Sequence, residues 1–260
     1  MGEMTSYMPG TFCWVDLATN APEEAKRFYG QIFGWTAEDI ATDYEVPYTI
    51  LRRQGKQVAG LYQMAPEQGA FPYWASYVRV ANADSSADRA LELGGRLVMP
   101  AVDVMQLGRM VFVQDPTGAV VGLWEPRAHF GAELDNTYGA RSWGELQTRD
   151  TVKAADFYKG LFGWTSRTSK SLMEGRYSLF ELDGKEVGGM IELGPEWGSM
   201  PANWSIYFGV EDCDGVLAAV KRLGGTIVMD AREIDTVGRF AFLGDPQGAI
   251  FAVIQFAHRV

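Results

Sequence analysis

The chain is written twice. The stretch Trp14–Tyr29, WVDLATNAPEEAKRFY, returns as WGELQTRDTVKAADFY at Trp143–Tyr158, a shift of 129 residues that places Phe28-Tyr29 on Phe157-Tyr158 without a gap. Each copy runs on to Phe-Gly-Trp, at Phe33-Gly34-Trp35 and Phe162-Gly163-Trp164. Later words recur at a shift of 130: Leu93-Gly94-Gly95 with Leu223-Gly224-Gly225, Gly108-Arg109 with Gly238-Arg239, and Asp115-Pro116-Thr117-Gly118-Ala119 with Asp245-Pro246-Gln247-Gly248-Ala249. A period this long marks a duplicated domain and not a solenoid, whose repeats are much shorter. The 260 residues suit two domains of ordinary size. Glu125–Gly139 has no clear periodicity and contains Pro126, Gly131 and Gly139. The expected division is therefore domain 1 over 1–126, a linker over 127–139 and domain 2 over 140–260.

Within each repeat the pattern switches between period two and a helical stripe. A strand over Thr11–Thr19 precedes Asn20-Ala21-Pro22, which reads as a helix cap followed by a first-turn proline. Ala25, Phe28, Tyr29, Ile32 and Phe33 then share one helical face, and Gly34 ends the helix. Strands follow near Thr36–Glu38, Tyr48–Arg53 and Val58–Met64, with a turn at Gln54-Gly55. A strand at Tyr73–Val80, a helix at Ser85–Leu93 and strands at Arg96–Met99, Arg109–Gln114 and Ala119–Trp124 complete the domain. The order is β-α-β-β-β twice per domain, which predicts an α+β fold with curved sheets.

Composition excludes several classes of function. A net charge of −10 disfavours nucleic acid and anionic membrane surfaces. No apolar run reaches membrane-spanning length, and the start MGEMTSYMPG lacks a secretory pattern, so a cytoplasmic protein is expected. Cys13 and Cys213 have no partner at ligand spacing and read as buried thiols. The two histidines, His129 and His258, fall in the linker and the last three residues, so no Ser-His-Asp set can be assembled.

A strand, a helix ending in FYxxxFGW, a later helix ending in LGG, then GR, a strand, DPxGA and a last strand resemble the vicinal oxygen chelate superfamily. That group contains glyoxalase I, bleomycin- and fosfomycin-resistance proteins and extradiol dioxygenases. The resemblance covers nearly the whole chain twice and is nearest to tandem two-domain actinobacterial members. It implies two glyoxalase-like domains, each of two βαβββ modules forming an open curved-sheet cup. Metal-binding members carry ligands at positions that correspond here to Trp14, Ala75 and Gly122, and to Trp143, Ser205 and Ala252. None of these side chains is a good transition-metal ligand, so the resemblance implies the cup without the metal. No metal and no cofactor are expected.

Strand alternation places Trp14, Asp16 and Ala18 on one side, and Trp143, Glu145 and Gln147 on the equivalent side. The tryptophans could stack on a flat ligand or fill the volume left by a lost metal. Asp16 and Glu145 could each act as a general base, hydrogen-bond a ligand or pair with a cation. Arg79 is the inward cation expected for Asp16; its counterpart is Gly209, which leaves Glu145 as the better candidate base. Tyr77, Tyr207 and Gln147 complete the expected ligand-binding set. Asp115 and Asp245 read as turn formers, and Arg109 and Arg239 as loop ties. The leading expectation is a metal-independent protein, monomer or homodimer, that binds a small, largely aromatic antibiotic or secondary metabolite. A metal-independent lyase, isomerase or cyclase using carboxylate acid-base chemistry is the alternative, and an interaction module with vestigial cups is a third.

Overall fold

The computed structural model describes residues 2–42, 46–65, 71–169, 172 and 175–257. Domain 1 runs β1 (Phe12–Thr19), α1 (Pro22–Phe33), β2 (Thr36–Ile40), β3 (Tyr48–Arg53), β4 (Lys56–Gln63), β5 (Tyr73–Arg79), α2 (Ala83–Glu92), β6 (Arg96–Val104), β7 (Gly108–Gln114) and β8 (Val120–Pro126). Domain 2 repeats it as β9 (Arg141–Thr148), α3 (Thr151–Phe162), β10 (Thr165–Ser169), β11 (Tyr177–Leu182), β12 (Lys185–Glu192), β13 (Asn203–Gly209), α4 (Cys213–Arg222), β14 (Thr226–Ile234), β15 (Gly238–Gly244) and β16 (Ile250–Phe256). Each domain is one open eight-stranded sheet, in the orders β2-β3-β4-β1-β5-β8-β7-β6 and β10-β11-β12-β9-β13-β16-β15-β14. The first strand of each domain is central, parallel to the fourth and antiparallel to the fifth. The two βαβββ modules therefore meet along β1–β5 and β9–β13, and the residues read as inward lie beside that seam.

Local chemistry explains the elements. Pro22 opens α1, Glu23 and Glu24 occupy its first turn, and Gly34 closes it in the left-handed conformation at φ 69°. The cap differs from expectation. The N-cap is Ala21 without a side-chain bond, and Thr19 Oγ1 accepts the Ala21 N–H instead of Asn20. In domain 2 the counterpart Asp150 does cap, accepting the Lys153 N–H at 2.9 Å. Gln54 and Gly55 both have positive φ, the requirement of a tight hairpin turn. β6 extends past Met99 to Val104 because it is an edge strand with two register shifts, where Pro100 removes no needed ladder bond. Arg109 ties Asp84 and Asp103, and Arg239 ties Asp214, as expected of loop-binding arginines.

The main cores cross the domain boundary. One combines α1 and β1–β4 with α4 and β13–β16, burying Phe28, Phe33, Trp35, Phe208 and Phe251 together. The other combines α2 and β5–β8 with α3 and β9–β12 around Phe12, Phe157, Trp164 and Trp204. Both are closed by the same polar clasp. Trp74 Nε1 donates to the Tyr29 hydroxyl at 2.9 Å, and that hydroxyl donates to Asp245 Oδ2 at 3.0 Å. Trp204 Nε1 donates to Tyr158 at 2.8 Å, which donates to Asp115 Oδ2 at 2.9 Å. Trp35 Nε1 donates to Gly139 O and Trp164 Nε1 to Gly10 O, at 2.7 and 2.8 Å. Asp115 and Asp245 thus do more than form turns. Their Oδ1 atoms collect backbone N–H groups of their own turns while their Oδ2 atoms hold the other domain.

Candidate functional site

The faces of the sheets turned away from these cores carry two smaller clusters. In domain 1, Trp14, Ala75, Tyr77 and Trp124 pack with Met110 and Phe112. In domain 2, Tyr207, Phe240, Phe242, Ala252 and Ile254 pack with Trp143 and Met229. These are the cups, and each holds a carboxylate beside its central seam.

In domain 1 that group is Asp16, 4% exposed. Its Oδ2 accepts two tyrosine hydroxyls, from Tyr77 at 2.9 Å and Tyr48 at 3.2 Å, while Oδ1 has no partner. The Tyr48 hydroxyl in turn accepts the Trp14 indole N–H at 2.9 Å. Burial pushes the Asp16 carboxyl up to about 7, against the lowering effect of the two tyrosines. The expected Arg79 pairing is not formed: among the described residues no ion pair joins Arg79 to Asp16. The Arg79 backbone bonds to Gly10 and Thr11 at the sheet's end, four residues along β5 from Ala75, the register partner of Asp16. Alternation does not state that distance.

Domain 2 repeats the design with a longer acid. Glu145 Oε1 accepts the Tyr207 hydroxyl at 3.0 Å and Gln147 Nε2 at 3.2 Å, and Tyr177 also hydrogen-bonds the carboxylate. Trp143 Nε1 donates to Tyr177 at 2.9 Å. Burial raises the Glu145 pKa, and three donors oppose the rise. The relative standing of the two acids therefore changes. Among the described residues neither pairs with a cation, but Glu145 is the better satisfied, and Asp16 is the acid raised to about 7 with an unpartnered oxygen.

Sequence reasoning missed Tyr48 and Tyr177, the hydroxyls that link tryptophan to carboxylate. A signal existed in Gly60 and Gly189, mid-strand and 129 residues apart. A Cβ at these positions would stand 1.8 and 1.9 Å from the Tyr48 and Tyr177 hydroxyl oxygens, so only glycine lets the rings cross the strand. His129 was also read only as a linker residue. Its ring meets Trp14 edge-on at 4.5 Å, and burial pushes its pKa down to about 4, which keeps it neutral. Phe130, Ala132 and Tyr7 pack at the same end, so residues of the connecting stretch cover the Trp14 end of cup 1. Trp143 stays half-buried. His258 lies outside the described residues. Clefts of about 380 and 210 Å³ open away from both cups, one beside Leu93, Pro116 and Phe157 and the other beside Pro22, Lys26 and Asp39.

Comparison with known proteins bears on this geometry. The model of the Glyoxalase/Bleomycin resistance protein/Dioxygenase superfamily matches residues 11–123 and again 141–253. The chain belongs to this superfamily. "Putative glyoxylase CFP32" of Mycobacterium tuberculosis is 37% identical over 262 residues, covering 98% of each chain. "Anthracycline biosynthesis protein DauV" of Streptomyces sp. (strain C5) is 31% identical over 268 residues, covering 97% of this chain and 95% of that one. Among solved structures, the Mn(II)-bound glyoxalase of Novosphingobium aromaticivorans aligns with a TM-score of 0.64 at 12% identity, covering 100% of this chain and 87% of that one. At such identity the likeness shows the fold alone.

The superfamily's metal positions can be tested on this chain. At Gly122 an added Cβ would stand 2.5 Å from the Tyr77 ring, so Tyr77 occupies the space a ligating side chain would need. Trp14 and Trp143 spend their only donors on tyrosines, and Ala75 and Ala252 offer no donor atom. Among the described residues no group of three or more His, Cys, Asp or Glu is placed to hold a metal ion. The residues present do not fit a metal at the superfamily's site.

Proposed function

We propose that the chain is a metal-independent member of the superfamily that binds a small, largely aromatic organic molecule in its cups. The observation that carries this reading is the buried carboxylate under two tyrosine hydroxyls, present in both domains and without a cation among the described residues. A charge buried without a counter-ion is costly, and a structural role would be served as well by an apolar residue. Keeping it twice, as Asp and as Glu, favours a polar group facing a ligand. Aromatic side chains around each carboxylate suit a planar molecule, with few polar groups fixing its orientation. The relative named for anthracycline biosynthesis supports an aromatic metabolite as the class.

Thermal-shift screening of an aromatic metabolite panel tests the proposal. Ligands that stabilise the protein should quench its tryptophan fluorescence, and Trp14→Ala or Trp143→Ala should weaken them at least tenfold, a loss of about 1.4 kcal/mol. Unchanged affinity in both variants and in the double variant removes the cups from the binding site. A second expectation concerns metal. Dialysed protein should carry far less than one zinc, iron, nickel or manganese per domain by elemental analysis, because the Trp14, Gly122, Trp143 and Ala252 positions supply no ligand set. A stoichiometric metal overturns the metal-independent part of the reading.

One observation favours an enzymatic reading beside the binding one. Asp16, with a pKa near 7 and an oxygen free to take a proton, is poised as a general acid or base at neutral pH. If a panel ligand is turned over, Asp16→Asn should slow the reaction roughly 10²–10⁴-fold with little loss of affinity. Full turnover in that variant leaves the enzyme reading without its base.

A further inference from the structure

Set side by side, the two carboxylates differ in one respect. Domain 2 supplies a third donor of its own. Gln147 Nε2 reaches Glu145, Gln147 Oε1 accepts Asn203 Nδ2 at 3.3 Å, and Asn203 Oδ1 accepts the Ser205 hydroxyl at 3.1 Å. Each donor of this row serves the next acceptor, and the last serves Glu145. The sheet register pairs Glu145 with Ser205 and Gln147 with Asn203. In domain 1 the same register pairs Asp16 with Ala75 and Ala18 with Tyr73. Two methyl groups and a tyrosine therefore stand where domain 2 has its carboxamides and hydroxyl. What remains is Asp16 Oδ1, buried and without a hydrogen-bond partner.

An unsatisfied oxygen on a buried carboxylate is costly, and more so if the group is charged. In the duplicated half Gln147 adds a third donor to the carboxylate, on Oε1, the oxygen that also accepts the Tyr207 hydroxyl. Trp14, Tyr48 and Tyr77 enclose the acid through the bonds already given. Tyr62 and Tyr73 meet across Ala18, their hydroxyls 3.2 Å apart, and Tyr73 is 41% exposed. Tyr73 brings that pair to the surface.

Building on the reading that the cups bind an aromatic molecule, we propose that domain 1 is the cup that takes it, and that an O–H or N–H on the ligand's aromatic nucleus donates to Asp16 Oδ1 as the third donor that Gln147 supplies to the carboxylate in domain 2. In domain 2 the Gln147 carboxamide is the chain's own third donor to the carboxylate. The ligand class follows as aromatic compounds bearing a hydroxyl, amine or amide hydrogen.

The test uses the full chain, phenol as the donor-bearing probe and anisole as the same ring without the donor. Binding is read from the indole N–H resonance of Trp14. Phenol should bind about 10–100-fold tighter than anisole, the worth of a hydrogen bond to a charged group. Ala18→Gln, which gives domain 1 the carboxamide, should abolish the preference, and Gln147→Ala should leave it intact at Trp14. Should Ala18→Gln fail to fold, Asp16→Asn is the second variant. It keeps the volume, puts an N–H where Oδ1 stood and should likewise erase the preference. Equal binding of the two probes shows that water satisfies Oδ1 and overturns the inference. So does a preference that survives Ala18→Gln or moves to Trp143, and so does failure of both probes to bind at millimolar concentration. None of these results decides the broader reading, which stands or falls with the metabolite panel.

Discussion

Asp16→Asn should stabilise the folded chain at pH 8 by roughly 2–4 kcal/mol and have almost no effect near pH 4. The sign follows from the direction of the pKa. Burial raises the Asp16 carboxyl from 3.8 to about 7 in the folded protein. The native state therefore holds this proton more tightly than the unfolded chain does. The resulting stability is complete below the unfolded value and is lost as pH rises through about 7. Above that point the chain carries a buried charge with two tyrosine donors and no cation, and asparagine removes the charge while keeping the shape. Urea unfolding of both proteins at pH 4, 6 and 8 measures the effect. A difference independent of pH would show that Asp16 keeps an ordinary pKa and is hydrated. Glu145 titrates in the same direction and adds its own slope, so the comparison must be made as a difference between variant and parent at each pH.

Tyr29→Phe and Tyr158→Phe should each cost about 2–4 kcal/mol, out of proportion to the loss of a single hydroxyl. Each hydroxyl serves two partners at once, accepting an indole N–H and donating to a carboxylate. Removing it leaves Asp245 Oδ2 and the Trp74 N–H, or Asp115 Oδ2 and the Trp204 N–H, buried without partners. Denaturant unfolding checks the size. The double variant checks independence, because the two clasps share no residue and their costs should add to within a few tenths of a kcal/mol. A loss below 0.5 kcal/mol in either single variant, within the range of surface substitutions, would mean that the clasp is hydrated.

The fold was legible because the duplication gave every local signal two independent occurrences. Pro22 with Gly34 bounded α1, Gln54-Gly55 named a hairpin, and the Asp-Pro-x-Gly turns fixed the register of β7–β8 and β15–β16. The site was legible by face but not by distance. Strand alternation identified Trp14, Asp16 and Tyr77, which meet in one cup, and Trp143, Glu145, Gln147 and Tyr207, which meet in the other. It also admitted Arg79, because period two states which side a residue faces and not how far along the sheet it sits. Tyr48 and Tyr177 escaped because their reach depends on glycine in the neighbouring strand, a pairing that a single strand's pattern does not contain. The clasp escaped for a similar reason. Tyr29 and Asp245 are 216 residues apart, and each had a sufficient local explanation, one as a helix-face aromatic and the other as a turn former.

Each half of this molecule finishes the other half's interior, and the partners are exchanged reciprocally: Tyr29 to Asp245 and Tyr158 to Asp115, Trp35 to Gly139 and Trp164 to Gly10. A single repeat contains part of each main core and the tryptophan and tyrosine of one clasp, without the aspartate on which that clasp closes. Two separate copies of such a unit would have to collide before either could exclude water, so their folding would obey mass action and weaken on dilution. Covalent joining through the stretch between β8 and β9 turns that collision into ring closure, with an effective concentration typically in the millimolar range. Freed from matching itself, each half could then change its concave face without changing its seam. Asp16 with Ala18 on one side and Glu145 with Gln147 on the other are a visible product of that freedom.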